Sequence, residues 1–81
     1  PVRERLAETL LILKETFDLN ENKVIQVKLS REELANIVGT ATESVIRLLS
    51  EFKKEQLIAL EGRDIKLLNI PALTRTANIF D

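Results

Sequence analysis

The sequence contains no cysteine, histidine, methionine, tryptophan or tyrosine. Without cysteine there can be no disulfide, and without cysteine or histidine no zinc site of the usual kind. The two commonest side chains for nucleophilic and acid–base work are also missing. Glycine occurs twice, at Gly39 and Gly62, too far apart to form a phosphate-cradling loop. The carboxylates are scattered among lysines and arginines, as on a solvated surface. No metal ligand cluster and no catalytic constellation is visible, so an enzyme is not expected. The longest apolar run falls far short of a bilayer span, and no signal peptide opens the chain. The absence of cysteine is compatible with a reducing compartment.

Charge of one sign is lacking too. The 81 residues carry a formal net charge of -1, whereas domains that bind nucleic acid by electrostatics alone are strongly basic. Any such binding here must rest on a few placed contacts. The aromatics are Phe17, Phe52 and Phe80, so the core must be built mainly from leucine, isoleucine and valine. The length fits one domain near the lower limit for an unaided core, spanning residues 1–81. With no initiator methionine, the chain reads as a domain excised from a longer protein.

What is present is periodic. Residues 2–17 place Leu6, Leu10, Leu13 and Phe17 three or four apart, with Ala7 and Leu11 beside them, which predicts an amphipathic helix. Asp18 to Lys23 is polar and predicts a loop. Val24 to Leu29 alternates and predicts a short strand. Ser30 with Glu33 has the capping-box spacing that opens a helix, with Leu34, Ile37 and Val38 as its apolar face and Gly39 as its stop. A second helix is expected from about Ala41 to Glu55, burying Val45, Leu48, Leu49 and Phe52. Within Gln56 to Asn69, LIAL and IKLL flank a glycine-containing turn and predict a β-hairpin. Pro71 fits the first turn of a last helix ending near Asn78.

This order predicts a mainly α fold with a small β-hairpin wing: a winged helix-turn-helix with a three-helix core. Ala35 is small where the second helix must cross, Gly39 suits the turn, and Leu34, Val38, Val45 and Leu48 face inward.

On the second helix, Glu43, Ile46, Arg47, Ser50 and Lys54 share the face opposite the apolar stripe. Such a face fits a DNA major groove. Arg47 can donate to O6 and N7 of guanine, Glu43 can accept from N4 of cytosine, and Ile46 can meet a thymine methyl. Thr42 can touch a base or a phosphate, and Ser44 can bond a phosphate. Ser30 and Arg31 lie at a helix start, which suits phosphate, and Arg63 at the wing turn can reach the backbone. Alternatives stand beside these. Glu43 and Arg47 have the spacing of a surface ion pair, and Glu43 could cap the helix with Thr40. Ser30 and Arg31 can be a simple cap and a solvated charge.

The stretch LSREELANIVGTATESVIRLLSEFKKEQLI, followed by IALEGRDIKLLN, resembles the C-terminal DNA-binding domain of the Crp/Fnr transcription regulators. The opening VRERLAETLLIL is similar to the helix that precedes the motif in that family. The resemblance implies a cytoplasmic bacterial regulator that binds a pseudo-palindromic operator as a homodimer. It further implies an N-terminal β-roll sensor and dimerisation helix outside this chain, and contacts with RNA polymerase. It maps base readout of a TGA-like half-site onto Glu43 and Arg47, and phosphate contacts onto Ser30, Arg31 and Arg63. Thr42 departs from the arginine of many cyclic-AMP-responsive members, and Ile46 from a glycine or serine. A G·C pair is expected at the Glu43/Arg47 position and a thymine near Ile46. No cofactor is expected in this domain, and no membrane contact. The effector of the absent sensor is not encoded here. The competing reading is a winged helix used only for protein–protein interaction.

Overall fold

In the computed structural model, which describes residues 1–78, four helices and one hairpin follow in the expected order. They are α1 (Val2–Phe17), α2 (Arg31–Val38), α3 (Thr42–Lys54), β1 (Ile58–Glu61), β2 (Asp64–Leu67) and α4 (Ile70–Ala77). Phe80 lies outside the described residues.

The first helix is the scaffold. It buries Leu6, Ala7, Leu10, Leu11 and Leu13, and α4 lies along it, contributing Leu73 and Ala77. The predicted stripe overreaches at one end: Phe17 is 42% exposed. It occupies the last turn, after which Asp18 takes φ 65° and turns the chain away, so nothing packs over the ring's outer side.

The segment Val24–Leu29 is not the strand its alternation predicts. It is paired only at its beginning, where Val24 bridges Lys66 and Ile25 bridges Leu19. The Ile25 N–H donates to Ile65 O at 3.1 Å, and the Leu67 N–H donates to Lys23 O at 3.0 Å. The alternation is still read in burial, with Ile25 in the core and Val27 and Leu29 packed at its margin. The Val27 N–H donates back to Ile25 O at 2.9 Å and the Gln26 N–H to Asp18 O at 3.0 Å, so the backbone bends away from β2 after one bridge.

The second helix begins with the predicted capping box. The Glu33 N–H donates to Ser30 Oγ at 3.0 Å and the Ser30 N–H to Glu33 Oε1 at 2.8 Å. It ends at Gly39, whose φ of 86° is left-handed, and the N–H groups of Gly39 and Thr40 both donate to Ala35 O. A Cβ at Gly39 would meet nothing within 4 Å, so what glycine supplies there is conformation, not space. Ile37, expected on the apolar face, is 54% exposed. An eight-residue helix turns only Leu34, Ala35 and Val38 inward, and Ile37 lies beyond the edge of that arc.

The third helix buries all four predicted residues, Val45, Leu48, Leu49 and Phe52, each 4% exposed or less. Phe52 is the core's aromatic centre among the described residues. The hairpin pairs antiparallel from Ile58↔Leu67 to Glu61↔Asp64, around a two-residue turn. Gly62 has φ 59° while Arg63 is not left-handed, the pattern of a type II′ turn. Before α4, Asn69 Oδ1 accepts from the Ala72 N–H. Pro71 stands in that helix's first turn, and Asn78 closes it in the left-handed region.

Candidate nucleic-acid interface

The core fixes which way α3 faces. With Val45, Leu48, Leu49 and Phe52 buried, the residues opposite must point outward, and Glu43, Ile46, Arg47, Ser50 and Lys54 are all exposed. Ile46 is 52% exposed, a β-branched apolar side chain in a polar face. Thr42 and Ser44 are half-buried at the helix start.

That start is open. The residue before the helix is Ala41, and no side chain caps it. The Ser44 and Val45 N–H groups reach back to Ala41 O. Thr42 and Glu43 lie too early in the helix for an intrahelical partner. The capping bond proposed between Thr40 and Glu43 is not formed. Two unpaired N–H groups at the positive end of a helix dipole suit a phosphate oxygen.

The Glu43–Arg47 ion pair, the alternative to base readout that the spacing also allows, is not formed either. Arg47 turns the other way along the helix and donates to Glu51 Oε2 at 2.9 Å. Among the described residues, Glu43 carries no ion pair. Its carboxylate is left as a free acceptor on the outer face.

The second cluster joins the start of α2 to the wing. The Arg31 guanidinium donates to Gly62 O at 3.1 Å and to Arg63 O at 3.2 Å. Partial burial there lowers its pKa from the ordinary value, but an arginine stays charged at any working pH. Two of its five N–H donors are thus used on the wing turn, and the rest remain free. Ser30 Oγ accepts within the capping box, yet its own hydroxyl proton is still available to donate. Arg63 is exposed at the turn. Its charge adds less than the two Ser30 hydrogen bonds to lowering the pKa of Glu33, and the bonds of Arg31 to Gly62 O and Arg63 O set the wing turn beside the α2 start. Ser30, Arg31 and Arg63 therefore form one group, while Thr42, Glu43, Ser44, Ile46 and Arg47 form another on α3. Asp64, beside the wing turn, is neutralised by Lys28 at 2.8 Å.

Sequence reasoning missed the partners that hold these arginines. Glu51 stands four residues after Arg47, a legible helical spacing. The grip of Arg31 on the wing spans 31 and 32 residues and leaves no local signal.

A family model for the Crp-like helix-turn-helix domain matches residues 4–76. The chain belongs to the Crp-like helix-turn-helix family. Relatives of this Crp-like domain include the transcriptional regulator LdrP of Thermus thermophilus, 36% identical over 77 residues, which are 94% of this chain and 40% of the relative. A CRP-like cAMP-activated global transcriptional regulator of Mycobacterium tuberculosis is 33% identical over 75 residues, 90% of this chain and 34% of the relative. A solved CRP-family transcriptional regulator from Thermus thermophilus superposes with a TM-score of 0.84 at 36% identity, covering 96% of this chain and 40% of that one. The Crp-like domain thus spans between a third and two fifths of the length of these relatives. Membership and these relatives support DNA-binding transcription regulation as its role. Among the described residues, no helix is long and apolar enough to cross a membrane, and no group of three potential ligands is placed to hold a metal ion.

Proposed function

We propose that this chain is the sequence-reading module of a Crp/Fnr-type transcription regulator, with α3 lying in the major groove of one half-site. Thr42, Glu43, Ile46 and Arg47 contact bases, and Ser30, Arg31, Ser44 and Arg63 contact phosphates. The observation that carries this reading is α3 itself: a fully buried inner face, an exposed outer face of Glu43, Ile46 and Arg47, and an uncapped start. Arg47 offers two parallel donors to guanine, Glu43 an acceptor to cytosine and Ile46 an apolar surface to a thymine methyl.

The module acts as a binding unit and not as a catalyst. In this reading it belongs to a longer cytoplasmic protein, whose N-terminal sensor β-roll takes the effector and whose dimerisation helix pairs two copies on a pseudo-palindromic operator. RNA polymerase is a further partner. Recognition helices of such dimers stand about 34 Å apart. One domain measures 32 × 30 × 24 Å, so two fit side by side at that spacing. A lone module lacks the effective concentration of the pair and binds weakly.

The test is a two-dimensional NMR titration at low salt with a TGA-containing duplex and a scrambled one. Larger shifts with the first, centred on Thr42 to Arg47, support base readout. Arg47→Ala is expected to cost about 1–3 kcal/mol on the preferred duplex and to relax preference at one base pair. If Arg47→Ala keeps full affinity and full preference, the base-reading role is wrong. Absence of shifts with either duplex would favour a protein-interaction module.

A further inference from the structure

Arg47 is not free in this structure, and its partner is itself held. Glu51 divides its two oxygens between two arginines: Oε2 accepts from Arg47 at 2.9 Å, and Oε1 accepts from Arg3 at 3.2 Å. Arg3, on the first turn of α1, also grips both oxygens of Glu55 at 2.8 Å. Its guanidinium lies 4.8 Å from the centroid of the Phe52 ring, which is wholly buried. The Glu51 carboxylate therefore keeps a second cationic partner, itself stacked on the core aromatic, when Arg47 moves away. These side chains are 35–63% exposed, and exposed pairs add little to folding stability. The arrangement matters more for where Arg47 directs its charge.

Resting on the reading of Arg47 as a base-contacting residue, we propose that Glu51 is a specificity-determining residue that holds Arg47 in reserve. While paired, Arg47 and Glu51 together carry no net charge, so the pair releases no counterion from the DNA backbone. A guanine edge offers two well-placed acceptors in return for the one bond given up. A non-cognate base pair offers no such exchange, and Arg47 stays with Glu51. Arg3 makes the exchange feasible, because Glu51 keeps a cationic partner after Arg47 has left. Glu51 thereby weakens binding to wrong sequences more than binding to the right one.

The test compares Glu51→Gln, Arg47→Ala and the double variant with the unaltered chain. Two duplexes are used: the best one selected by the unaltered chain from a random library, and a scrambled one. Glu51→Gln is expected to tighten scrambled binding about five- to tenfold at 0.1 M salt and to steepen the salt slope by about one. Binding to the selected duplex should tighten less, so the ratio between the two falls. In the free protein the Arg47 Nε–Hε resonance should shift. In the Arg47→Ala background the Glu51→Gln change should have no effect on the ratio. Equal tightening on both duplexes, persisting without Arg47, would make Glu51 a bulk charge and overturn the proposal. So would an unchanged ratio with circular dichroism showing an intact fold. If selection yields no preferred duplex, base readout fails, and the proposal fails with it. A preferred duplex whose discrimination ignores Glu51 rejects the proposal alone.

Discussion

The two helices of the helix-turn-helix are built on opposite plans. At its start α2 carries a complete capping box, and at its end a glycine in the left-handed region. At its start α3 has Ala41 and no cap. Its end has the hydrogen bonds of a Schellman motif, Leu57 N–H to Phe52 O and Gln56 N–H to Lys53 O, but the left-handed position is filled by Gln56, at φ 62°. A short helix with three buried side chains is held by its ends. A longer one with Val45, Leu48, Leu49 and Phe52 in the core is held by packing, and its ends are released from that duty. The end left open is the one nearest the proposed base contacts, which is where a free N–H pair has a use.

The largest effect should come from removing what holds α3. Phe52→Ala is expected to cost about 3–5 kcal/mol, measured by chemical denaturation. A cost under about 1 kcal/mol would mean that α3 does not depend on packing. Next, Gly39→Ala should cost roughly 1–2 kcal/mol, because a left-handed backbone is unfavourable for alanine even where there is room for its methyl group. The mirror experiment, Gln56→Gly, should raise stability by roughly 0.5–1 kcal/mol, the left-handed strain removed less the added chain entropy. Equal signs for the two would dissolve the contrast between the helix ends. Ala41→Asp should then separate stability from function. The backbone at Ala41 is already extended, so a carboxylate there can cap α3 and gain about 1 kcal/mol. The same charge should weaken DNA binding. If stability and affinity rise together, that end of α3 does not approach phosphate.

The smallest effect concerns the α2 cap and depends on pH. The Glu33 pKa is lowered, first by the Ser30 backbone hydrogen bond, then by the Ser30 hydroxyl, with the Arg63 charge adding less. A depressed carboxylate stabilises the fold above its unfolded pKa and loses that contribution as pH falls through its folded pKa. Melting curves of the unaltered chain and Glu33→Gln should therefore differ near neutral pH and converge in acid. Curves that remain parallel would show that the cap carries no titratable stability.

The sequence was most legible where the signal is local. Ser30 and Glu33, Gly39, Pro71, and the stripe of Val45, Leu48, Leu49 and Phe52 all express themselves within one or two helical turns. Val24–Leu29 was misread because alternation reports burial on one side, not the presence of a partner strand. Ile37 and Phe17 were misread because periodicity does not tell where a short helix runs out of neighbours. At the candidate interface, the exposed face of α3 followed from its buried one. The partners of its charges did not, since Arg47 had carboxylates one turn away on both sides, and spacing alone could not choose between Glu43 and Glu51. The bonds of Arg3 to Glu55 and of Arg31 to the wing join distant parts of the chain.

The bonds of Arg31 end on main-chain carbonyls, those of Gly62 and Arg63, and not on any side chain. The mount of the wing is therefore indifferent to what residue 63 is. A library varied at that position alone would keep the tip in register with the start of α2 while changing what it offers to a binding partner. Residue 63 is thus an interchangeable fitting, a place to tune how firmly the domain holds any duplex and not which sequence it prefers.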